Sequence, residues 1–222
     1  RQCFDMIWPD DFISKVINAD CLEAMKYMKD KCVDLVLTDP PYGIEYEGEK
    51  RPNESTFDNI ENDNGQIDYK NLIAELERIG KKVIIFGANN FYQDLPHKGV
   101  WICWDKRLTE PADKMLGSAF ELAWLNSLTG YFRMYLVLHG AVVNADHREI
   151  KARVHPTQKP VELMKKIIQD FSEENMTVLD PFLGSGTTAV AAKQLNRNFI
   201  GIDISEKYCQ IAEDRLRQEI LL

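Results

Sequence analysis

The chain has 222 residues, 45% hydrophobic and 28% charged, the make-up of one compact α/β domain with a sizeable core, and its formal net charge of −8 excludes a broadly basic surface. No apolar run approaches the roughly 20 residues of a membrane span, and the first thirty residues lack a charged-then-apolar leader pattern, so no membrane partner is expected. Cys3, Cys21, Cys32, Cys103 and Cys209 are scattered without a Cys-x-x-Cys pair, which indicates neither a zinc site nor a disulfide framework; no metal is expected, and a reducing cytoplasm fits.

Val16-Ile17-Asn18-Ala19-Asp20-Cys21-Leu22-Glu23 reads as a strand ending at a turn, and Ala24 to Met28 starts a helix that Asp20 can cap. The run Val33-Asp34-Leu35-Val36-Leu37 then stops at Thr38-Asp39-Pro40-Pro41-Tyr42-Gly43-Ile44. A β-branched and leucine run ending at two prolines is a buried parallel strand closed by a rigid turn, and open α/β sheets bind ligands at such carboxyl ends. Pro41 confines Pro40 to extended geometry, and neither proline has an N–H, so the Pro40 carbonyl faces outward with no neighbouring donor. Asp39 adds a second acceptor and Tyr42 a flat aromatic face. Two acceptors beside a stacking platform suit a planar group bearing an exocyclic amino group; a packed turn with a capping Asp39 is the competing reading of the same four residues.

Residues 45–64 are polar and without sustained apolar period, a mobile loop that fits a lid or DNA-contacting loop and a plain disordered connection equally. Ile67, Leu72, Ile73, Leu76 and Ile79 fall at helical spacing, predicting a crossover helix ahead of Gly80 and the strand Val83-Ile84-Ile85-Phe86. Val100 to Trp104 and Phe120 to Leu125 are strand-like, with Trp101, Trp104 and Trp124 expected in the core and a charged loop over 105–118 between them. Tyr131 to Leu138 is a further aromatic strand, followed by a basic segment. His155-Pro156-Thr157-Gln158-Lys159-Pro160 precedes a helix over Val161 to Phe171, with Leu163, Ile167 and Phe171 on one face.

Thr177-Val178-Leu179-Asp180-Pro181 is a second strand ending in Asp-Pro, followed by Phe182-Leu183-Gly184-Ser185-Gly186-Thr187-Thr188 and the small-residue helix Ala189 to Ala192. Glycines let a ligand approach the backbone, and a helix start presents free N–H groups with about half a positive charge. Asn198 to Ile204 is a strand ending in Asp203, an acid about twenty residues past the glycines, where dinucleotide folds bind ribose hydroxyls. A plain cap is the competing role for Asp203. Glu206 to Ile220 is the closing helix, with Tyr208, Ile211, Ala212 and Leu216 on one face.

Asp39-Pro40-Pro41-Tyr42, taken with Asp180-Pro181-Phe182-x-Gly184-x-Gly186-Thr187-Thr188, resembles the amino-group DNA methyltransferases, the adenine-N6 and cytosine-N4 family that uses S-adenosylmethionine. The first stretch is similar to the family's catalytic motif and the second to its cofactor motif. Their order looks like the permuted subgroup called beta, and the resemblance covers nearly the whole chain. It implies an α/β, Rossmann-like S-adenosylmethionine-dependent methyltransferase fold: a mostly parallel central sheet flanked by helices, circularly permuted in motif order, in a single catalytic domain over residues 1–222. The cofactor strand would then lie near residues 176–181, its neighbour near 198–203, the next at 15–19 and the catalytic strand at 33–38.

Carried over position by position, the resemblance makes Asp39, Pro40, Pro41 and Tyr42 catalytic. It places Asp20 and the Cys21 backbone at the cofactor's adenine, Asp203 at its ribose, Thr157 and Lys159 at its methionine carboxylate, and Asp180, Phe182, Gly184, Ser185, Gly186 and Thr187 around the glycine turn. The implied partner is double-stranded DNA with the target base flipped out of the duplex, in a bacterial or phage-encoded restriction-modification setting. Asp at position 39 is typical of the adenine enzymes and Ser of the cytosine-N4 ones, so N6 transfer is expected, with cytosine-N4 as the rival. Residues 128–154 correspond to the target-recognition region and are very few, which leaves a homodimer, an accessory specificity subunit or a partner-dependent DNA-binding role open. An acidic chain that grips DNA needs a local positive face; candidates are Glu49-Lys50-Arg51, Asp105-Lys106-Arg107 and the cluster His147, Arg148, Lys151 and Arg153.

Overall fold

The computed structural model describes residues 6–42, 67–106, 118–127, 133–137 and 159–218. The expected loop at 45–64 and most of the expected recognition segment at 128–154 therefore lie outside the described residues, as do Thr157 and the basic candidates other than Lys106. None of the helices among the described residues is long and apolar enough to cross a membrane.

Among the described residues, eight strands form one sheet. In chain order they are β1 (Lys15–Asn18), β2 (Val33–Thr38), β3 (Gly80–Phe86), β4 (Val100–Asp105), β5 (Phe120–Leu125), β6 (Arg133–Leu136), β7 (Thr177–Asp180) and β8 (Asn198–Asp203). In space the order is β1-β8-β7-β2-β3-β5-β4-β6. All neighbours are parallel except β5, which runs antiparallel to both β3 and β4. The strands expected near residues 15, 33, 176 and 198 occupy adjacent places, so β2 and β7, far apart in sequence, are hydrogen-bonded with Val36 opposite Leu179.

The inner strands β2, β3, β7 and β8 are apolar on successive residues because both faces are covered. Leu35, Leu37, Ile84 and Phe86 pack with one layer, built from α3 (Val161–Phe171), α4 (Thr187–Gln194) and α5 (Glu206–Gln218). Val36, Val83 and Ile85 pack with the other, built from α1 (Cys21–Met25), α2 (Tyr69–Ile79) and a 3-10 helix over Ala88–Asp94. Fully burying one such aliphatic side chain contributes about 1.5–3 kcal/mol, so β2 and β3 are pinned from both sides.

Helix α2 shows how the periodicity works. Asp68 caps its start by accepting from Asn71 N, Leu72, Ile73, Leu76 and Ile79 form its buried stripe, and Gly80 turns straight into β3. The strand thus starts at Gly80, three residues before the apolar run, because Gly80 pairs with Val33 in the parallel ladder. Helix α1 is shorter than the expected span to Met28, closing after Met25, and Asp20 does cap it through Glu23 N. Trp104 is 0% and Trp124 3% exposed, as core residues; Trp101 is half-buried against the α2 layer.

Candidate active site

The carboxyl ends of β1, β8, β7 and β2 lie side by side on one rim of the sheet, and each delivers residues that the sequence singled out. At the end of β2, Thr38 Oγ1 donates to Asp180 Oδ1 (2.8 Å), while Asp180 Oδ2 accepts from Thr188 Oγ1 (2.6 Å) and Oδ1 also accepts from Phe182 N (3.1 Å). Asp180 therefore clamps the turn after β2 to the glycine turn after β7. Burial pushes its carboxyl up to about 6, against the lowering effect of those three donors.

Asp39, the next residue, is held at both oxygens. Lys159 Nζ lies 2.5 Å from Oδ2, and the Tyr42 hydroxyl donates to Oδ1. Burial, and then the Asp39 carboxylate beside it, push the Tyr42 hydroxyl well above its ordinary range. The Tyr42 ring has space only because residue 87 is glycine: a Cβ there would stand 1.9 Å from Tyr42 Cε1, and its backbone has φ +66°. Tyr69, stacked on Phe91 at 4.1 Å between ring centroids, donates its hydroxyl to the Pro41 carbonyl at 2.7 Å and so fixes the turn from the α2 side.

After β7, Gly184 and Gly186 take φ +53° and +86°, the left-handed region that only glycine enters without strain. The Gly184 N–H donates to Asp203 Oδ2 at 2.7 Å, and Ser205 N donates to Oδ1 at 2.9 Å, so the acid at the end of β8 is locked to the turn it faces. A Cβ on Gly186 would come 2.7 Å from the Ala212 Cβ, which lets α5 close against the start of α4. Ser185 is buried; its carbonyl and hydroxyl accept from Arg215 Nη1 at 2.7 and 3.0 Å, and Thr187 Oγ1 lies 3.3 Å from the same nitrogen. These two side chains thus face α5, and what the turn offers the cleft is backbone. Phe182 is half-buried. At the end of β1, Asp20 caps α1, the Cys21 thiol is pushed up to about 12 by burial and then by Asp20, and Asn18 Nδ2 donates to the Asp203 and Ile204 carbonyls.

Lys159 is 6% exposed, with Nζ 5.2 Å from the centroid of Phe86 and 3.1 Å from Glu121 Oε2 as well as on Asp39. Burial alone would lower its ammonium, but Asp39, Tyr42 and Glu121 reverse that and hold it well above the usual lysine range. Its ammonium thus points at residue 39. Glu121, Gly87, Tyr69 and Thr38 are absent from the sequence expectations for the site. An acid inside the otherwise apolar strand Phe120-Glu121-Leu122-Ala123-Trp124-Leu125 was the available signal for the first, and a glycine at the carboxyl end of a strand for the second.

The architecture is that of S-adenosylmethionine-dependent methyltransferases. The M1.HpyAVI–SAM complex is similar at 25% identity with a TM-score of 0.59, over 90% of this chain and 98% of that one. Residues 93–214 match the DNA methylase model of the N6/N4 methyltransferases, and the chain belongs to this family of amino-group DNA methyltransferases. Type II methyltransferase M.HinfI of Haemophilus influenzae is 29% identical over 94% of this chain and 70% of its own length. The cytosine-N4-specific PvuII DNA methyltransferase shares the fold at a TM-score of 0.58 and 16% identity, over 90% of this chain and 85% of its own.

Proposed function

We propose that this chain moves the methyl group of S-adenosylmethionine to the N6 amino group of adenine in DNA, with Asp39 as the residue that selects and orients that amino group. The observation that carries the reading is a carboxylate at residue 39, on a Pro-Pro turn beside a half-buried Tyr42, clamped through Thr38 and Asp180 to the glycine turn. The cofactor supplies a methyl group on a positively charged sulfur. The donor set fits it: the left-handed turn at Gly184 and Gly186 with the start of α4 offers backbone, Asp203 an acceptor for ribose hydroxyls, Asp20 and the Cys21 backbone partners for adenine, and Phe182 an apolar wall.

The amino lone pair of adenine is delocalised into its ring. Asp39 and the Pro40 carbonyl accept the two N–H bonds, which favours the geometry in which the lone pair faces the methyl donor. Catalysis is then positioning together with stabilisation of a nitrogen that becomes positive. Tyr42 stacks on the extruded base; stacking is worth roughly 1–3 kcal/mol and offsets much of the few kcal/mol that flipping costs. Nucleoside mass spectrometry of unmethylated genomic DNA incubated with the chain and S-adenosylmethionine decides the reaction: N6-methyladenine is expected, N4-methylcytosine would move the substrate to the other base, and cofactor binding without a methylated nucleoside would point to a partner-dependent subunit. Asp39→Ala should abolish transfer with S-adenosylhomocysteine binding largely kept.

A further inference from the structure

Four charges alternate in sign along the carboxyl rim of the sheet: Asp39 after β2, Lys159 ahead of α3, Glu121 in β5 and Lys106 after β4. Lys159 Nζ is 2.5 Å from Asp39 Oδ2 and 3.1 Å from Glu121 Oε2, and Lys106 Nζ is 2.5 Å from Glu121 Oε1. Glu121 Oε2 is sealed from solvent and has no hydrogen-bond partner among the described residues, so what faces it is the lysine charge. A buried ammonium with no counter-charge costs several kcal/mol, and here two carboxylates surround it. The cluster is neutral as it stands; a further carboxylate on the same lysine would leave it negative.

The two oxygens of Asp39 are not equivalent. The contact at Oδ2 comes from a charged donor, whereas Oδ1 receives a neutral phenol. Both bonds end on the same carboxylate, but only the one at Oδ2 adds the attraction of two opposite full charges, so an entering N–H displaces Tyr42 and not Lys159. The displaced Tyr42 ring is then released to stack.

We propose that Lys159 is a positioning residue for Asp39, anchoring Oδ2 so that Oδ1 alone meets the target amino group, and that Glu121 is the counter-charge that keeps the lysine in place. This rests on the reading of Asp39 as the amino-group acceptor. Lys159 thereby acts on the base side of the transfer, through another side chain, and Glu121 becomes a member of the site with no place in either motif.

The test is steady-state and single-turnover methyl transfer by the full chain to unmethylated DNA, with S-adenosylhomocysteine affinity from calorimetry, for Asp39→Asn, Lys159→Met, Lys159→Arg, Glu121→Gln and the double variant K159M/E121Q. Asp39→Asn sets the floor. Lys159→Met should lower kcat by about 100-fold, the scale of a misplaced reacting group, with the KM for S-adenosylmethionine and the S-adenosylhomocysteine affinity within about 3-fold of the parent. Lys159→Arg, which keeps the charge, should recover most of that loss, and Glu121→Gln should cost about 10-fold in kcat alone. The double variant leaves no unpaired buried charge at 121 and should match Lys159→Met, so it decides the matter if the single variant does not fold. A raised KM for the cofactor with kcat intact would assign Lys159 to the cofactor and overturn the proposal, as would parental kcat in the double variant. If Asp39→Asn itself kept parental turnover, the reading of Asp39 would fall instead.

Discussion

Gly87 has no chemistry of its own, yet the candidate site depends on it. Its left-handed backbone disfavours any side chain, and an added methyl would overlap the Tyr42 ring. Gly87→Ala should cost about 1–3 kcal/mol in urea denaturation and lower methyl transfer by taking the space the Tyr42 ring occupies beside the turn. Asp203 gives a separable outcome. Because its carboxylate accepts from Gly184 N and Ser205 N, Asp203→Ala both removes the proposed ribose acceptor and unties the glycine turn. S-adenosylhomocysteine affinity should fall at least tenfold, by about 1.4 kcal/mol or more, in a calorimetric titration. At this scale the local geometry of dense patterns was legible: a turn at Asp39 and Tyr42 around two prolines, and a left-handed turn at Gly184 and Gly186 before a helix. Glu121 was not, because an acid in a strand reads as an outward-facing position and only the folded chain brings Lys159 and Lys106 onto it. Lys159 stands out in the sequence, but its ion pair with Asp39 does not, since the two lie 120 residues apart.

Among the elements, α2 is the part of the scaffold that the proposed catalytic turn leans on. It carries Tyr69 onto the Pro41 carbonyl, and its Arg78 donates to the Met25 and Met28 carbonyls, tying α1 to the same layer. Leu76 is fully buried in that layer, and Leu76→Ala should cost about 2–5 kcal/mol by denaturant titration, the range for a cavity left in a packed core. Periodicity predicted this helix within two residues at its start because its stripe of apolar residues is unbroken and Asp68 marks the cap. The order of strands was legible only in part. Alternating strand and helix patterns foretell a parallel sheet, whereas the grouping of β1, β8, β7 and β2 was implied by the family resemblance. The insertion of β5 between β3 and β4, antiparallel to both, is made by strand pairing, Ile85 opposite Trp124 and Ile102 opposite Ala123, and has no local signature. The 3-10 helix after β3 also escaped the sequence reading, since its Asn-Asn-Phe-Tyr run carries no helical period.

For the molecule as a whole, Asp180 is a built-in cost. Its carboxyl stands at about 6 in the folded chain against an ordinary 3.8, so between those values the folded state holds a proton that the unfolded state has lost. Stability therefore falls as pH rises through that window, by about 3 kcal/mol at most from this one group. Asp180→Asn should flatten this component, so the difference in unfolding free energy between parent and variant should shift in the variant's favour from pH 4 to pH 6.5, measured by urea titration in matched buffers. If the difference were constant over that range, Asp180 would not be the titrating group.

The hydrogen bond between Thr38 and Asp180 spans 142 residues, and that separation sets a timetable for synthesis. At about 5–20 residues per second, β2 leaves the ribosome roughly 7–30 seconds before β7 exists to pair with it. Through that interval one edge of a strand apolar along nearly its whole length has no neighbour, and such edges recruit other chains. A nascent chain halted before residue 177 should be captured by holdase chaperones or aggregate, whereas one that has released β8 should not. The proximity that brings the two motifs together in the finished protein is thus its main hazard while it is being made.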